Sequence, residues 1–174
     1  MPALANTRVL ILAADLFEES ELLYPLHRLA EEGAEVTVAS AGAKPVVGKR
    51  GYGPMPVDTD LTGLAERDFD GLIVPGGFAP DALRKDAGVL DLVRAFDAAG
   101  KPIGFICHAG WVLISAKIVD GRRATSVPTI RVDMENAGVD WVDEPTVVDG
   151  HLISARRPAD LGPWMRAIIA ALSG

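Results

Sequence analysis

The stretch GFICHAGWVLISA, Gly104 to Ala116, contains the only cysteine of the chain. It opens as an apolar run, stops at Cys107, and passes through His108 into small and then aliphatic residues. A short apolar run bounded by a turn reads as a buried strand, and the spacing from about Ala109 to Ala116 reads as a helix. Strand, sharp turn and helix together form a nucleophile elbow, in which the turn residue projects above the sheet. Small neighbours ease such a turn, and Gly104, Ala109 and Gly110 are read in that role. The sulfur would then face the first turn of the helix, whose unpaired N–H groups favour a thiolate. The other reading of Cys107 is a small apolar core residue, as free cysteines commonly are. A single cysteine forms no internal disulfide, and no Cys/His cluster has zinc-site spacing, so neither a metal nor a cofactor is expected.

Outward from this stretch the chain alternates strands and helices. TRVLILAA, Thr7 to Ala14, reads as a strand buried on both faces. SELLYPLHRLAEEG then places Leu22, Leu23, Leu26 and Leu29 at helical spacing, with Gly33 where a cap belongs. VTVAS at Val36 to Ser40 and FDGLIV at about Phe69 to Val74 are further strands, the second stopping at Pro75-Gly76-Gly77. Between them VVGKRGYGPMPVD reads as an irregular hairpin. AGVLDLVRAFDAAG, Ala87 to Gly100, is a helix, and PIGFIC leads back to Cys107. TIRVDMENAG reads as helical, WVDEPTVVDGHLISA as a hairpin turning at Asp149-Gly150, and DLGPWMRAIIAAL as a closing helix with Pro163 near its start. This alternation predicts an α/β fold: a mostly parallel central sheet with helices on both faces. In such a sheet ligands gather beyond the carboxyl ends of the strands, where Cys107 falls.

The 174 residues predict a single domain spanning 1–174. With 49% hydrophobic and 24% charged residues the composition is that of a folded protein. A net charge of -7, with only the short basic pairs Lys49-Arg50 and Arg122-Arg123, argues against nucleic acid or an anionic membrane as partner. No run is long enough to span a bilayer, and the first residues lack the pattern of a signal peptide, so a cytoplasmic location is expected.

The segments KPIGFICHAGWVLISA, LIVPGGFAPDALR, FEESELLYPLHRLAEEGAEVTVAS, TSVPTIRVDMENAGVDWVDEPTVVDG and SARRPADLGPWMR resemble the matching segments of the ThiJ/PfpI superfamily, and among its branches that of intracellular protease I, PfpI. They follow the family's order over nearly the whole chain. Ile106-Cys107-His108 combined with Pro75-Gly76-Gly77 is the specific part. The resemblance implies a flavodoxin-like three-layer sandwich with Cys107 as nucleophile at the elbow. It also implies a glutamate from the first strand-to-helix loop beside the sulfur. Counting back from Tyr24-Pro25 this is Glu21, with Glu18 the neighbouring candidate, although acids also open helices for the dipole alone. An ionised carboxylate would oppose a thiolate, so Glu21 is expected buried and neutral, with Cys107 below the ordinary thiol pKa. The backbone N–H of His108 is expected to form half of an oxyanion hole, and Gly77, next to Gly76, the other half. Because neighbours at a strand end point apart, the His108 ring is not expected to reach the sulfur of Cys107. In the PfpI branch that ring pairs with an acid of a neighbouring subunit. Asp81, where the branch usually has glutamate, is the matching residue and implies a homo-oligomer, dimer or hexamer. His27 and His151 are read as structural.

The resemblance implies a cysteine enzyme attacking an electrophilic carbonyl, either a 2-oxoaldehyde or its adducts (glyoxalase- or deglycase-like) or a peptide, in stress protection. Small aldehydes are favoured, since a His108 remote from the sulfur would poorly protonate a leaving amine. A glutaminase reading is disfavoured, because ISARRPADLGPW contains neither histidine nor glutamate. The alternative class is a non-catalytic redox sensor or chaperone using an oxidisable Cys107.

Overall fold

The computed structural model describes residues 3–174. In chain order the elements are β1 (Arg8–Leu12), α1 (Glu19–Glu31), β2 (Glu35–Ser40), β3 (Thr59–Asp60), β4 (Gly71–Val74), α2 (Ala79–Leu83), α3 (Ala87–Ala98), β5 (Ile103–Ile106), α4 (Gly110–Ala116), β6 (Arg123–Ala124), α5 (Arg131–Asn136), β7 (Asp140–Trp141), β8 (Thr146–Asp149), β9 (Leu152–Ala155) and α6 (Leu161–Ser173). Seven strands form one sheet in the order β3-β2-β1-β4-β5-β9-β8, and β6 pairs with β7 in a small ribbon of its own. Every pairing in the large sheet is parallel except the β8–β9 hairpin.

Period-2 alternation sorts the strand side chains into two layers. Leu10, Leu12, Leu72, Val74, Ile103 and Phe105 face α2, α3 and α4, where Val93, Phe96, Val112 and Leu113 cover them. Val9, Ile11, Ile73, Ile106 and Ile153 face the opposite way, under Leu22 and Leu29 of α1 and Trp164, Met165 and Ile168 of α6. The sheet is therefore buried on both faces, which is why its strands read as continuous apolar runs. Trp164 is fully buried and its indole N–H donates to the carbonyl of Ile153 at 3.0 Å, fixing α6 to β9.

Four parts of the architecture differ from the sequence reading. The short strand β3, the five-residue helix α2 and the β6–β7 ribbon were not anticipated; all are too short for a periodic signal. Gly104 lies within β5 and serves packing rather than the elbow. A Cβ on it would stand 2.5 Å from Cδ1 of Ile168 and 2.9 Å from Cδ1 of Ile73, so its absence lets α6 settle on the sheet.

The strand order reverses between β1 and β4, and the loops leaving those two strands open a crevice at their carboxyl ends. At the other end of the sheet the chain is closed. Arg8 and Asp70 exchange hydrogen bonds of 2.8 and 2.7 Å, and Leu172 near the end of α6 lies over Gly71.

Gly104→Ala is expected to destabilise the fold by about 1–3 kcal/mol through overpacking. Ile168→Val removes the methyl the new Cβ meets, so the double variant should lose less than the sum of the singles. Urea unfolding of the four proteins measures this.

Candidate active site

Cys107 follows β5 directly, and its φ of 63° places it in the left-handed region, unusual for a residue with a side chain. The backbone turns there from strand into a single 3-10 turn, Cys107–Ala109, and then α4. This is the elbow geometry, with the thiol 8% exposed above the carboxyl end of the sheet. The carbonyl of Cys107 accepts from the Val127 amide at 3.3 Å, which holds the turn from its far side.

Beside the sulfur lies the turn that ends β4. A Cβ on Gly76 would fall 2.4 Å from Oε2 of Glu21, 2.7 Å from Cβ of Cys107 and 2.9 Å from the Ile106 carbonyl. Only glycine lets the three groups meet. Gly77 has a φ of 81°, and a Cβ there would strike the backbone of Leu16, Phe17 and Glu18. The amides of Gly77 and His108 both donate toward the Cys107 sulfur. Two converging N–H groups at one sulfur are placed to receive negative charge, whether on a thiolate or on the oxygen of a carbonyl under attack.

Glu21 of α1 is fully buried. Its Oε2 accepts from the Gly76 amide at 2.9 Å, while Oε1 is buried without a hydrogen-bond partner. Burial, followed by the neighbouring Glu18 carboxylate, pushes the Glu21 carboxyl up to about 8. It is therefore protonated at neutral pH, and the free oxygen is the natural seat of that proton.

Cys107 departs from the expectation. Burial first, and an ionised Glu21 second, push its thiol up to about 12, while the Gly77 and His108 amides and Lys49 pull the other way. The helix start favours a thiolate, but the sulfur is sunk below the surface and its desolvation weighs the other way. Because one of the raising causes is the charge of Glu21, the two groups titrate as a coupled pair. At neutral pH Glu21 is uncharged, and the thiol needs a partner to take its proton.

That partner is in place, which corrects the second expectation. Nδ1 of His108 lies 3.3 Å from Sγ of Cys107. Strand neighbours point apart only in extended backbone, and the left-handed turn at Cys107 folds the next side chain back over the sulfur. Nε2 of His108 lies 3.4 Å from the Thr129 hydroxyl, and the ring packs against Trp111 with centroids 5.2 Å apart. Burial and the charge of Lys49 lower the His108 pKa, so the imidazole is neutral and free to accept a proton.

Glu18 also lies at the site, 4% exposed. Its Oε2 is 2.5 Å from Nζ of Lys49, and Oε1 accepts from Ser20 at 3.2 Å. Lys49 was missed in the sequence, where it belongs to an unremarkable basic pair in the irregular hairpin. Nothing local marks it; only the folded loop brings it here. Asp81 stands on α2 with its carboxylate exposed and paired to Lys85 at 3.0 Å, and within this chain it does not meet His108. His151 pairs with Asp97 at 2.7 Å, away from the site. Among the described residues no His/Cys/Asp/Glu group has the arrangement of a metal site, and no helix is long and apolar enough to cross a membrane.

A cysteine at a strained strand-to-helix turn, a buried carboxyl against it and two amides aimed at it define the nucleophile-elbow class of parallel α/β proteins. Within that class the chain belongs to the DJ-1/PfpI family, which it matches over residues 7–171. It is 48% identical over 165 residues to a Pyrococcus abyssi protein named a deglycase, covering 95% of this chain and 99% of that one. It is 40% identical to General stress protein 18 of Bacillus subtilis, covering 95% and 97%. Among solved structures it is similar to a two-domain protein of Anabaena variabilis containing DJ-1/ThiJ/PfpI-like and ferritin-like domains, with a TM-score of 0.94 and 35% identity, covering 96% of this chain and 48% of that one.

Glu21 makes a testable contribution to stability. Its folded pKa lies above its unfolded value, so the native state holds the extra proton, and this stabilisation is lost as pH rises from the ordinary carboxylate range through about 8. The slope should approach roughly 1 kcal/mol per pH unit and flatten in Glu21→Gln. Denaturant unfolding across that range measures it, and a protonated-carboxyl infrared band absent from Glu21→Gln should fade through the same interval.

Proposed function

We propose that the chain is a cysteine-dependent enzyme acting on a small electrophilic carbonyl compound, a 2-oxoaldehyde or its adducts on amino groups, in the cytoplasm, where thiols stay reduced. The observation that carries this reading is the Cys107 sulfur held between the Nδ1 of His108 and the amides of Gly77 and His108. Sγ adds to the aldehyde carbon while its proton passes to His108, and the carbonyl oxygen takes the electron pair under the two amides. With a 2-oxoaldehyde the resulting hemithioacetal isomerises: the hydrogen on the former aldehyde carbon moves to its neighbour, giving a thioester of a 2-hydroxy acid. Glu21 can carry that transfer in both directions: its carboxyl gives its proton to the neighbouring ketone oxygen, the carboxylate so formed takes the hydrogen from the former aldehyde carbon, and the resulting enediol collapses to the thioester as that hydrogen is delivered to the neighbouring carbon and the hydroxyl proton returns to Glu21. Water then cleaves the thioester, releases the hydroxy acid and restores the thiol. The deglycase names of the archaeal relatives support this class of substrate.

A second reading, peptide hydrolysis, gains from the reach of His108, because the ring that takes the thiol proton can return it to a leaving amine. The redox-sensor reading uses the same Cys107 and is separated from catalysis by turnover: a protein that oxidises readily but converts no 2-oxoaldehyde or peptide is a sensor.

The working unit is proposed to be a homo-oligomer. Phe78 is 60% exposed, and the amide of Phe78 bonds to the Leu16 carbonyl while that of Leu16 bonds to Val47, so three exposed apolar residues form one ridge at the mouth of the site. In the proposed assembly a second copy covers that ridge and its Asp81 pairs with His108 of its neighbour, as the resemblance to the PfpI branch implies.

With methylglyoxal as substrate, Cys107→Ser should abolish turnover and His108→Ala should lower it about 10²–10⁴-fold. Full activity in His108→Ala would overturn the proton route. Co-assembled Asp81→Asn and Cys107→Ser chains should recover part of the activity that each lacks alone, and an active monomer on ultracentrifugation would refute a site completed in trans.

A further inference from the structure

The Lys49 ammonium has no place in the chemistry above, yet the fold delivers it to the nucleophile with many contacts. The loop around it closes on itself: the Gly48 amide donates to Tyr52 at 2.8 Å, the Gly51 amide to Gly48 at 3.0 Å, and Val46 and Met55 exchange bonds of 3.0 and 2.8 Å. It is then stitched to the segment that enters α1. Leu16 donates to Val47 at 2.7 Å, Lys49 to Phe17 at 2.9 Å, and Val47 to the Asp15 carboxylate at 2.9 Å. The Glu19 carboxylate accepts from the Arg50 amide at 2.6 Å and lies across Gly48, where a Cβ would come within 2.4 Å of it. Phe17 bridges Gly48 on one side and Gly77 on the other, so one residue's backbone links the lysine loop to the turn that faces the sulfur.

This framework presses Nζ of Lys49 against a carboxylate that is itself almost wholly out of water. A buried carboxylate without a partner is strongly disfavoured, and an apolar residue would fill the space as well. What an apolar residue would not supply is a charge pair beside a titrating one. The groups acting on Glu21 are Glu18 from its own helix start, Lys49 from the loop and Cys107 from the elbow. Those acting on Cys107 are Glu21 and Lys49, the His108 imidazole 3.3 Å from the sulfur, and the amides of Gly77 and His108. Glu18 holds the Glu21 proton on, and Lys49 draws it off. Glu19 is turned away onto the Arg50 amide.

We propose that Lys49 is a positioning residue for the nucleophile: held on Glu18, its ammonium balances the carboxylate charge beside the Glu21–Cys107 pair and so fixes the pH at which that pair gives up its proton. Lys49 touches neither the reacting carbon nor the oxygen. It acts through Glu18 and through the field at the sulfur. The proposal rests on Cys107 being the reacting group, but its test needs no substrate, so it stands or falls apart from the identity of the carbonyl compound.

The test follows the Glu21 carboxyl band by infrared titration and the alkylation of Cys107 by iodoacetamide, with Cys107→Ser as the blank. In Lys49→Met the uncompensated Glu18 should move the Glu21 midpoint up by about one pH unit, and alkylation at a fixed pH on the rising limb should slow about tenfold. In Glu18→Gln the midpoint should move down by a similar amount. The double variant should return close to the native midpoint, and Lys49→Arg should keep it. Opposite shifts that cancel are not produced by a lysine that merely props the loop. Shifts of the same sign, or an unmoved midpoint in either single variant, overturn the proposal. If Lys49→Met does not fold, Glu18→Gln alone decides it, since an unmoved midpoint there refutes the balance.

Discussion

The left-handed turn at Cys107 is the constraint on which the rest of the site depends. A residue with a side chain at a φ of 63° carries a cost of about 1–3 kcal/mol, and it persists only where its surroundings leave no alternative. On the sheet side β5 is paired to β4 and β9 at once, and beyond the turn α4 is packed between α2, α3 and α5. The Val127 amide holds the carbonyl between them. Fixed at both ends, the chain can change direction only within one residue, and that residue's side chain is lifted clear of the sheet. The same twist folds His108 back onto the sulfur, so one strained dihedral lifts the thiol clear and sets an imidazole against it.

The elbow in turn dictates what its neighbours can be. Gly76 has no freedom because Cys107 and Glu21 occupy the volume a side chain would need, and the left-handed Gly77 lets the β4 turn aim its amide at the sulfur. The acids at the start of α1 divide by burial and partner. Glu21, deeper and with no cation paired to it directly, keeps its proton, whereas Glu18, three residues earlier, meets Lys49. Two carboxyls of the same segment thus enter the site in different states, an outcome set by what surrounds each one.

Much of this was legible in the sequence because it is local. The apolar runs of β1, β4 and β5, the helical spacing of Leu22, Leu26 and Leu29, and the glycines after β4 each announce themselves within a few residues. Cys107 at a strand end with Gly77 facing it followed from motif and topology together, whereas Glu21 came only with the resemblance to the ThiJ/PfpI superfamily, since its own segment shows no more than acids at a helix start. The misreadings arose where three-dimensional context overrode a local rule. His108 was placed by strand geometry, but its predecessor is not in strand conformation. The low pKa expected of the thiol rests on helix polarity and a neutral Glu21, but burial of the sulfur pushes it up. Gly104 was assigned to the elbow because it is near in sequence, while its true neighbour, Ile168, lies in the last helix. Lys49 carried no signal at all, since its position depends on a loop whose fold is decided by hydrogen bonds to residues 15–19.

The closed end of the sheet bears on how this domain can be built into larger proteins. The first strand leaves beside Asp70 and the last helix finishes over Gly71, so both ends of the fold emerge near the amino ends of β1 and β4, while Cys107 opens at the carboxyl ends. A polypeptide appended at either end therefore points away from the catalytic mouth and disturbs neither the elbow nor the lysine loop. In the Anabaena variabilis protein a domain of this kind shares its chain with a ferritin-like one. Such a layout makes the fold modular: it can be tethered to another function in tandem while its own opening stays clear.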